Sequence, residues 1–358
     1  METSNTVKSA CPAVEIYPDK SERKKIRWHY NKAGIVILLN ILIFNVVGIA
    51  VLYGICGIKA GSFSHEAISA AKTEILNNPL FYVMFCIGIP ICSETIVILV
   101  GKKLLGVNFK TLFRLDGFNG TSVVKTATVS LGLQTATVII ATILIAIIGI
   151  FGGEIVQPDF TVENSTLLSD LLLYMYVCLL GPILEELLYR GVLLQSLKKY
   201  NVRFAIVISA LIFGMMHENI TQCILGMLIG IPLAIITIKS GSILPAIFTH
   251  IIVNTSNVVF ALMIMSDKQA YKAMLTDNLF PKEGLPLIGV VLSILWRFGF
   301  LAAGIVVGVV TIVQGLKLKK ATPAGKNRSW PIFATSVAWV IVFGYYIYVN
   351  TIGSFTFK

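Results

Sequence analysis

The sequence predicts an all-α fold, a polytopic bundle of transmembrane helices. Of its 358 residues, 56% are hydrophobic and 13% charged, whereas a soluble domain carries about 25% charge. The mean hydropathy is +0.83. Apolar runs recur along most of the chain, and many approach or exceed the roughly 20 residues that a helix needs to cross a bilayer. This composition excludes the two or three soluble domains that the length alone would allow.

Apolar runs bounded by charged residues predict nine spans, with eight as the alternative count. Helical periodicity does not help, because these runs are hydrophobic on every side, so length and flanking charges define them. The fifth and sixth spans are short and nearly continuous, which leaves their division at 218–220 the least defined. In order, the predicted spans are Ala33–Ile58, Leu80–Val100, Thr126–Phe151, Leu171–Leu197, Phe204–His217, Thr221–Ile238, Ile243–Met265, Leu285–Val313 and Pro331–Val349.

Basic residues predict the orientation of these spans in a cell membrane. If the N-terminus is cytoplasmic, the inner segments hold 22 of the 29 Lys and Arg residues. The outer loop 152–170 has four acidic residues and no Lys or Arg. This asymmetry predicts a multi-pass protein with a cytoplasmic N-terminus, and nine spans then place Lys358 outside. Because the net charge of +11 is spread over short loops, no nucleic-acid partner is expected.

Four regions follow from this assignment. A basic cytoplasmic tail, 1–32, precedes N-terminal transmembrane helices over 33–170. Core helices occupy 171–265, and C-terminal transmembrane helices occupy 266–358. The tail up to Asn31 and the connection Lys317–Ser329 are predicted to be solvated linkers.

Four polar residues lie deep within the apolar core helices: Glu185, His217, His250 and Asn254. Ionisable groups inside a membrane are costly, and their default interpretation is a functional site. Counted from the nearest inner charge at about 1.5 Å per residue, the four lie at depths of roughly 20, 21, 16 and 22 Å. Three helices therefore bring polar groups to similar depths, as a shared site requires.

The spacing within these helices indicates a chemistry. His250 and Asn254 are four residues apart and share a helix face. Glu186 and Arg190 have the same spacing and can neutralise one another, while Glu185 is offset from them by about 100°. A carboxyl group in an apolar pocket has a raised proton affinity, which suits a general base. One carboxylate, two imidazoles and an amide can hold a water, with or without a metal ion, and can donate to an oxyanion.

Other buried features have structural interpretations. Glu94 and Arg297 are the remaining charges inside spans, and a mutual ion pair is predicted for them; the alternative for Arg297 is a clamp for a substrate carboxylate. Tyr189 and Phe213 are predicted to be packing residues, with a substrate groove as the alternative. Glycines at four-residue spacing are predicted to permit close helix packing: Gly226, Gly230, Gly304 and Gly308.

Three motifs resemble a known family. Residues 185–190 read Glu-Glu-x-x-x-Arg, 213–217 read Phe-x-x-x-His, and 250–254 read His-x-x-x-Asn. In this order they resemble the CAAX protease and bacteriocin-processing (CPBP or Abi) family, intramembrane endopeptidases that include the type II CAAX prenyl proteases. The resemblance extends from Leu171 to about Asn257, a quarter of the chain.

The resemblance implies an intramembrane endopeptidase acting on a peptide or membrane-protein substrate. Glu185 would activate the hydrolytic water and His217 would help to hold it. His250 and Asn254 would complete the water or metal site and the oxyanion hole, supported by the pair of Glu186 and Arg190. A divalent metal, with zinc the expected ion, would be held by Glu185, His217 and His250, and a metal-free mechanism with Glu185 as base is the alternative.

Two other functions are compatible with the same residues. A membrane protein of the same fold without catalysis could serve as a bacteriocin-immunity or scaffold protein. An ion-coupled transporter would also use buried acids and histidines, although internal repeats of the kind that many transporters show are not evident. The substrate and its binding residues are not predicted.

Overall fold

The apolar runs fold into long helices. The computed structural model describes residues 19–155, 165–267, 269–271, 281–318, 329–352 and 355–357. Two short strands, β1 (Gly153–Ile155) and β2 (Phe355–Phe357), pair antiparallel. The helices are α1 (Lys20–Ala60), α2 (His65–Leu76), α3 (Pro79–Leu105), α4 (Gly120–Ile150), α5 (Leu167–Leu197), α6 (Val202–Met215), α7 (Ile220–Ser240), α8 (Leu244–Ile264), α9 (Gly284–Leu318), α10 (Ser329–Ala334) and α11 (Val337–Ile352).

The predicted helical membrane bundle is confirmed. Seven described helices are long and apolar enough to cross a bilayer, and the shorter apolar helices α6 and α11 bring the total to nine. The division predicted at 218–220 is present but begins earlier, because α6 ends at Met215 and α7 begins at Ile220 after the N-cap Asn219. The Asn219 side chain accepts hydrogen bonds from the backbone N–H groups of Thr221 and Gln222, as an N-cap does.

The last predicted span is not one helix. It divides into α10 and α11 around residues 335 and 336. The hydroxyl groups of Thr335 and Ser336 donate to the Ile332 carbonyl at 2.9 and 3.2 Å. Such side-chain bonds compete with the backbone ladder of a helix and favour its interruption.

The prediction of a solvated linker up to Asn31 was wrong from Lys20 onward. Helix α1 begins there, and the side chain of Asp19 caps it by accepting from Glu22 N at 2.7 Å. Ile26 and Tyr30, four residues apart, are buried between exposed basic residues. The charges therefore cover only one face of this helix, and its other face packs.

The second predicted linker and one further helix also differ. Helix α9 extends to Leu318, two residues into the predicted connection, whose residues 319–328 lie outside the described part of the chain. Helix α2, which was not predicted, lies between the first two spans and buries Ala71 and Ile75 against α1.

The two ends of the bundle agree with the predicted alternation of spans. At one end, Lys199 donates to the Leu105 carbonyl at 3.2 Å, and the Tyr30 ring lies 5.5 Å from Tyr200 and 5.9 Å from Phe333. These residues come from or next to segments predicted to be cytoplasmic. Strands β1 and β2, from segments predicted to be external, pair with each other. That the first end faces the cytosol stays a prediction from the basic residues.

Close packing of α6 on α7 places the motif helices. A Cβ atom at Gly226 would lie 2.7 Å from Gly214 Cα, and one at Gly230 would lie 2.8 Å from Ala210 Cα. The backbones of the two helices thus approach as the small residues predicted. Gly304 similarly contacts Gly132 of α4, but nothing described lies within 4 Å of a Cβ at Gly308, so the packing role predicted for Gly308 was wrong.

Candidate active site

Helix α5 carries a fully buried ion pair. Arg190 Nη1 lies 3.0 Å from Glu186 Oε1, and both side chains have 0% exposure. Arg190 Nη2 also donates to the Gly230 carbonyl of α7 at 3.4 Å. The predicted pair is confirmed, and through Gly230 it joins α5 to the α6–α7 unit.

Glu186 also binds the imidazole of α8. His250 Nδ1 lies 3.0 Å from the same Glu186 Oε1 that faces Arg190. An ionised carboxylate can only accept, so His250 carries its proton on Nδ1 and donates it there. This contact orients the ring, as carboxylate partners of functional histidines commonly do. Glu186 therefore does more than the supporting role predicted for it.

Glu185 lies on the other side of the His250 ring. His250 Nε2 is 3.7 Å from Glu185 Oε2, just beyond hydrogen-bond distance. The Glu185 side chain is 16% exposed, whereas those of Glu186 and Arg190 are fully buried. Of the two adjacent acids, Glu185 is therefore the one that can meet water or substrate.

The second imidazole, that of His217, lies on the same phenylalanine ring as His250. His217 Nδ1 donates to the Phe213 carbonyl at 3.0 Å, which leaves Nε2 free as an acceptor. The ring centroids of His217 and His250 lie 5.4 and 5.6 Å from that of Phe213, both edge to face. The Arg190 guanidinium lies 4.1 Å from the same ring. Phe213 is buried, so its predicted packing role is confirmed. The groups that it packs against are residues of the candidate site.

Asn254 contacts the backbone of α5. Its Nδ2 donates to the Val177 carbonyl at 2.9 Å. Asn254 and His250 therefore both face α5, as their spacing predicts, one turn of α8 apart. In this arrangement the amide N–H is directed at Val177 rather than at Glu185.

Helix α5 departs from α-helical geometry in two places, and in each a side chain of another helix binds its backbone. Residues Tyr176–Leu180 and Glu186–Leu194 form π-helical turns, which are rare and frequent at functional sites. The Val177 carbonyl accepts from Asn254, and the Tyr189 carbonyl accepts from Ser209 Oγ at 2.9 Å. These wider turns thus present backbone carbonyls to side chains of neighbouring helices.

The predicted pair of Glu94 and Arg297 was wrong. Glu94 lies on α3, which packs against α5, while Arg297 lies on α9, which packs against α4 and α8. Glu94 is buried, its Oε2 has no hydrogen-bond partner among the described residues, and Glu185 acts on it electrostatically. Glu94 is therefore a neighbour of the candidate site, whereas the sequence predicted it to be the partner of Arg297. The carboxylate clamp suggested for Arg297 stays a prediction.

The three residues proposed as metal ligands do not form a ligand set in this arrangement. Within the described residues, no three His, Cys, Asp or Glu side chains are grouped so that they could hold a metal ion. His250 directs one ring nitrogen at Glu186 and the other at Glu185. Zinc needs three or four convergent donors, and this arrangement does not present them, so the metal site stays a prediction from the resemblance.

Comparisons with known proteins single out the same helices. Residues 167–256, from the start of α5 into α8, match the family model "Type II CAAX prenyl endopeptidase Rce1-like". A protein of Bacillus subtilis (strain 168) described as "Putative membrane peptidase YdiL" is 31% identical over 106 residues, which are 28% of this chain and 43% of that protein. No solved structure matches the chain. All three motifs lie within the matched residues, so the similarity of this chain to the CAAX protease family is carried by these core helices.

Proposed function

We propose that this protein is an intramembrane endopeptidase that hydrolyses a peptide bond of a peptide or membrane-protein substrate at Glu185. One observation carries the proposal. Inside the bundle, His250 lies between a partly accessible carboxylate, Glu185, and a buried carboxylate, Glu186, that is already neutralised by Arg190. The relation to membrane peptidases of the CAAX protease family supports it.

In this proposal Glu185 is the general base. It removes a proton from water as the water oxygen attacks the carbonyl carbon of the scissile bond. When the C–N bond breaks, protonated Glu185 returns that proton to the leaving amine. The two acids have different tasks because only Glu185 is free of an ion pair, and a positioned base of this kind contributes about 10²- to 10⁴-fold to the rate.

The two histidines orient the water. Both donate through Nδ1, His250 to Glu186 and His217 to the Phe213 carbonyl, so in each ring Nε2 is the nitrogen left to accept a hydrogen bond. A ring nitrogen without a proton accepts a hydrogen bond from water, and Glu185 accepts another. Asn254 would serve the oxyanion by turning its amide from Val177 toward the substrate.

The alternatives have less support. An immunity or scaffold protein needs neither a free carboxylate nor two histidines with fixed tautomers. A transporter would need a path through the membrane, and the described site instead joins the helices matched by the peptidase family. Neither alternative predicts that substrate cleavage depends on Glu185.

The test compares the wild-type protein with Glu185→Gln in liposomes. Membrane proteins and peptides from the producing cell are added, and new N-termini are identified by amine labelling and mass spectrometry. We expect wild-type cleavage and a loss of at least about 10²-fold in Glu185→Gln. Glu74→Gln, the same change at an exposed acid of α2, should keep full activity. Cleavage that survives Glu185→Gln would refute the assignment.

Metal content is measured on the same preparations. We expect no stoichiometric zinc, and cleavage that withstands a chelator, because the ligand set is not assembled. The opposite result would be stoichiometric zinc whose removal abolishes cleavage and whose return restores it. That result would favour the zinc-dependent mechanism over the metal-free one.

A further inference from the structure

The turn between α6 and α7 contains an unusual backbone conformation. Glu218 has φ of 53° and is the one non-glycine with positive φ among the described residues. Glutamate is strained there, whereas glycine is not. Elsewhere in this chain, α1, α3 and α7 end at glycines in that conformation: Gly61, Gly106 and Gly241. A strained conformation persists only where its surroundings hold it.

Two helices outside the matched segment hold the Glu218 carboxylate. Tyr345 of α11 donates its hydroxyl to Glu218 Oε1 at 2.8 Å. Asn45 of α1 donates to the Tyr345 hydroxyl at 2.8 Å and reaches Glu218 Oε1 at 3.5 Å. Asn45 lies in the π-helical turn Leu42–Val47 of α1, so α1 also departs from α-helical geometry at this contact.

A third side chain holds the end of α6. Asn350 of α11 is buried, and its Nδ2 donates to the Met215 carbonyl at 3.0 Å. That carbonyl belongs to the last residue of α6, where helices leave acceptors unpaired. We call Asn45, Tyr345, Asn350 and Glu218 the turn clamp.

The turn clamp encloses a site residue. His217 lies between Met215, held by Asn350, and Glu218, held by Tyr345 and Asn45. Its ring must stay against Phe213 to face the same site as His250. Release of Glu218 would let the backbone leave its left-handed conformation and would move the peptide unit that carries His217.

We infer that the turn clamp positions His217 for hydrolysis, with Glu218 as a positioning residue. The inference rests on the proposed function for its kinetic consequence. It assigns to α1 and α11, which lie outside the residues that match the family, the task of fixing one side of the site.

Glycine offers a decisive variant. Glu218→Gly removes the carboxylate but relieves the backbone, so the protein should melt at or above the wild-type temperature. Its kcat should fall about 10-fold with little change in KM, because small displacements of a catalytic group are expensive. Glu218→Gln keeps an oxygen acceptor and should restore most of the rate.

Tyr345→Phe should act like Glu218→Gly, and the two changes together should cost no more than one. Tyr348→Phe, an exposed position on the same helix, is the matched control.

Hydrogen exchange gives a readout that does not depend on activity. Amides of residues 216–219 should exchange faster in Glu218→Gly and Tyr345→Phe than in the wild type and the control. If the wild type cleaves nothing, the proposed function fails while exchange still tests the clamp. The inference would be overturned if Glu218→Gly kept both the amide exchange and the kcat of the wild type. It would also be overturned if each variant lost activity only in proportion to its loss of folded protein.

Discussion

At the scale of single residues, Glu186 holds the site together. Its Oε1 lies 3.0 Å from both Arg190 Nη1 and His250 Nδ1, in a region closed to solvent. The adjacent Glu185 makes no comparable ion pair and is partly accessible. Two consecutive acids thus have separate tasks, since one supports the structure and the other faces the reaction.

This difference predicts opposite effects of the same substitution. Glu186→Gln leaves the buried Arg190 without its counter-charge, which should lower the free energy of unfolding by about 3–5 kcal/mol. Glu185→Gln should leave it near the wild-type value. Thermal unfolding in detergent measures both.

A double variant separates the lost charge from lost packing. Glu186→Gln combined with Arg190→Met removes both charges and should recover much of the stability, because an apolar pair can replace a buried ion pair. Equal stability of Glu186→Gln and Glu185→Gln would show that Arg190 does not depend on Glu186.

At the scale of helices, the motifs were predictable and their local geometry was not. The i,i+4 spacing of Glu186 and Arg190 predicts their pairing, and that of His250 and Asn254 predicts a shared face. The choice of Glu186 as the partner of His250 depends on how α8 packs against α5, which no local pattern contains. The π-helical turns of α5 likewise lie where Asn254 and neighbouring helices contact its backbone, and these contacts are not written in the local sequence.

The orientation of the helices can be tested by labelling. With a cytoplasmic N-terminus, Ser62 after α1 lies outside and Ser122 at the start of α4 lies inside; both are exposed. We expect an impermeant maleimide added to intact cells to label Ser62→Cys above the background of the unsubstituted protein. Ser122→Cys should react only after permeabilisation. The reverse pattern would overturn the inside-positive assignment.

At the scale of the whole molecule, composition and flanking charges were sufficient to predict a helical membrane bundle and most of its long apolar helices. They failed at Lys20–Asn31, where basic residues on one face conceal the buried Ile26 and Tyr30. They also failed at α2, whose apolar residues are too few to register as a span. Helices α1 and α11 carry no recognisable motif, so the part they take in the turn clamp became visible only from contacts between residues about 130 to 300 positions apart.

The central claim is that Glu185, which lies beside His250, and His217, which packs with His250 on the Phe213 ring, act as one hydrolytic unit. Residues that act as a unit are non-additive, so a second loss costs little after the first. The most direct measurement is the cleavage rate in liposomes of Glu185→Gln, His217→Ala and the variant with both changes. We predict that each single variant is strongly impaired and that the double variant is about as slow as the slower single one. Independent multiplication of the two losses, or near wild-type cleavage by His217→Ala, would contradict the claim.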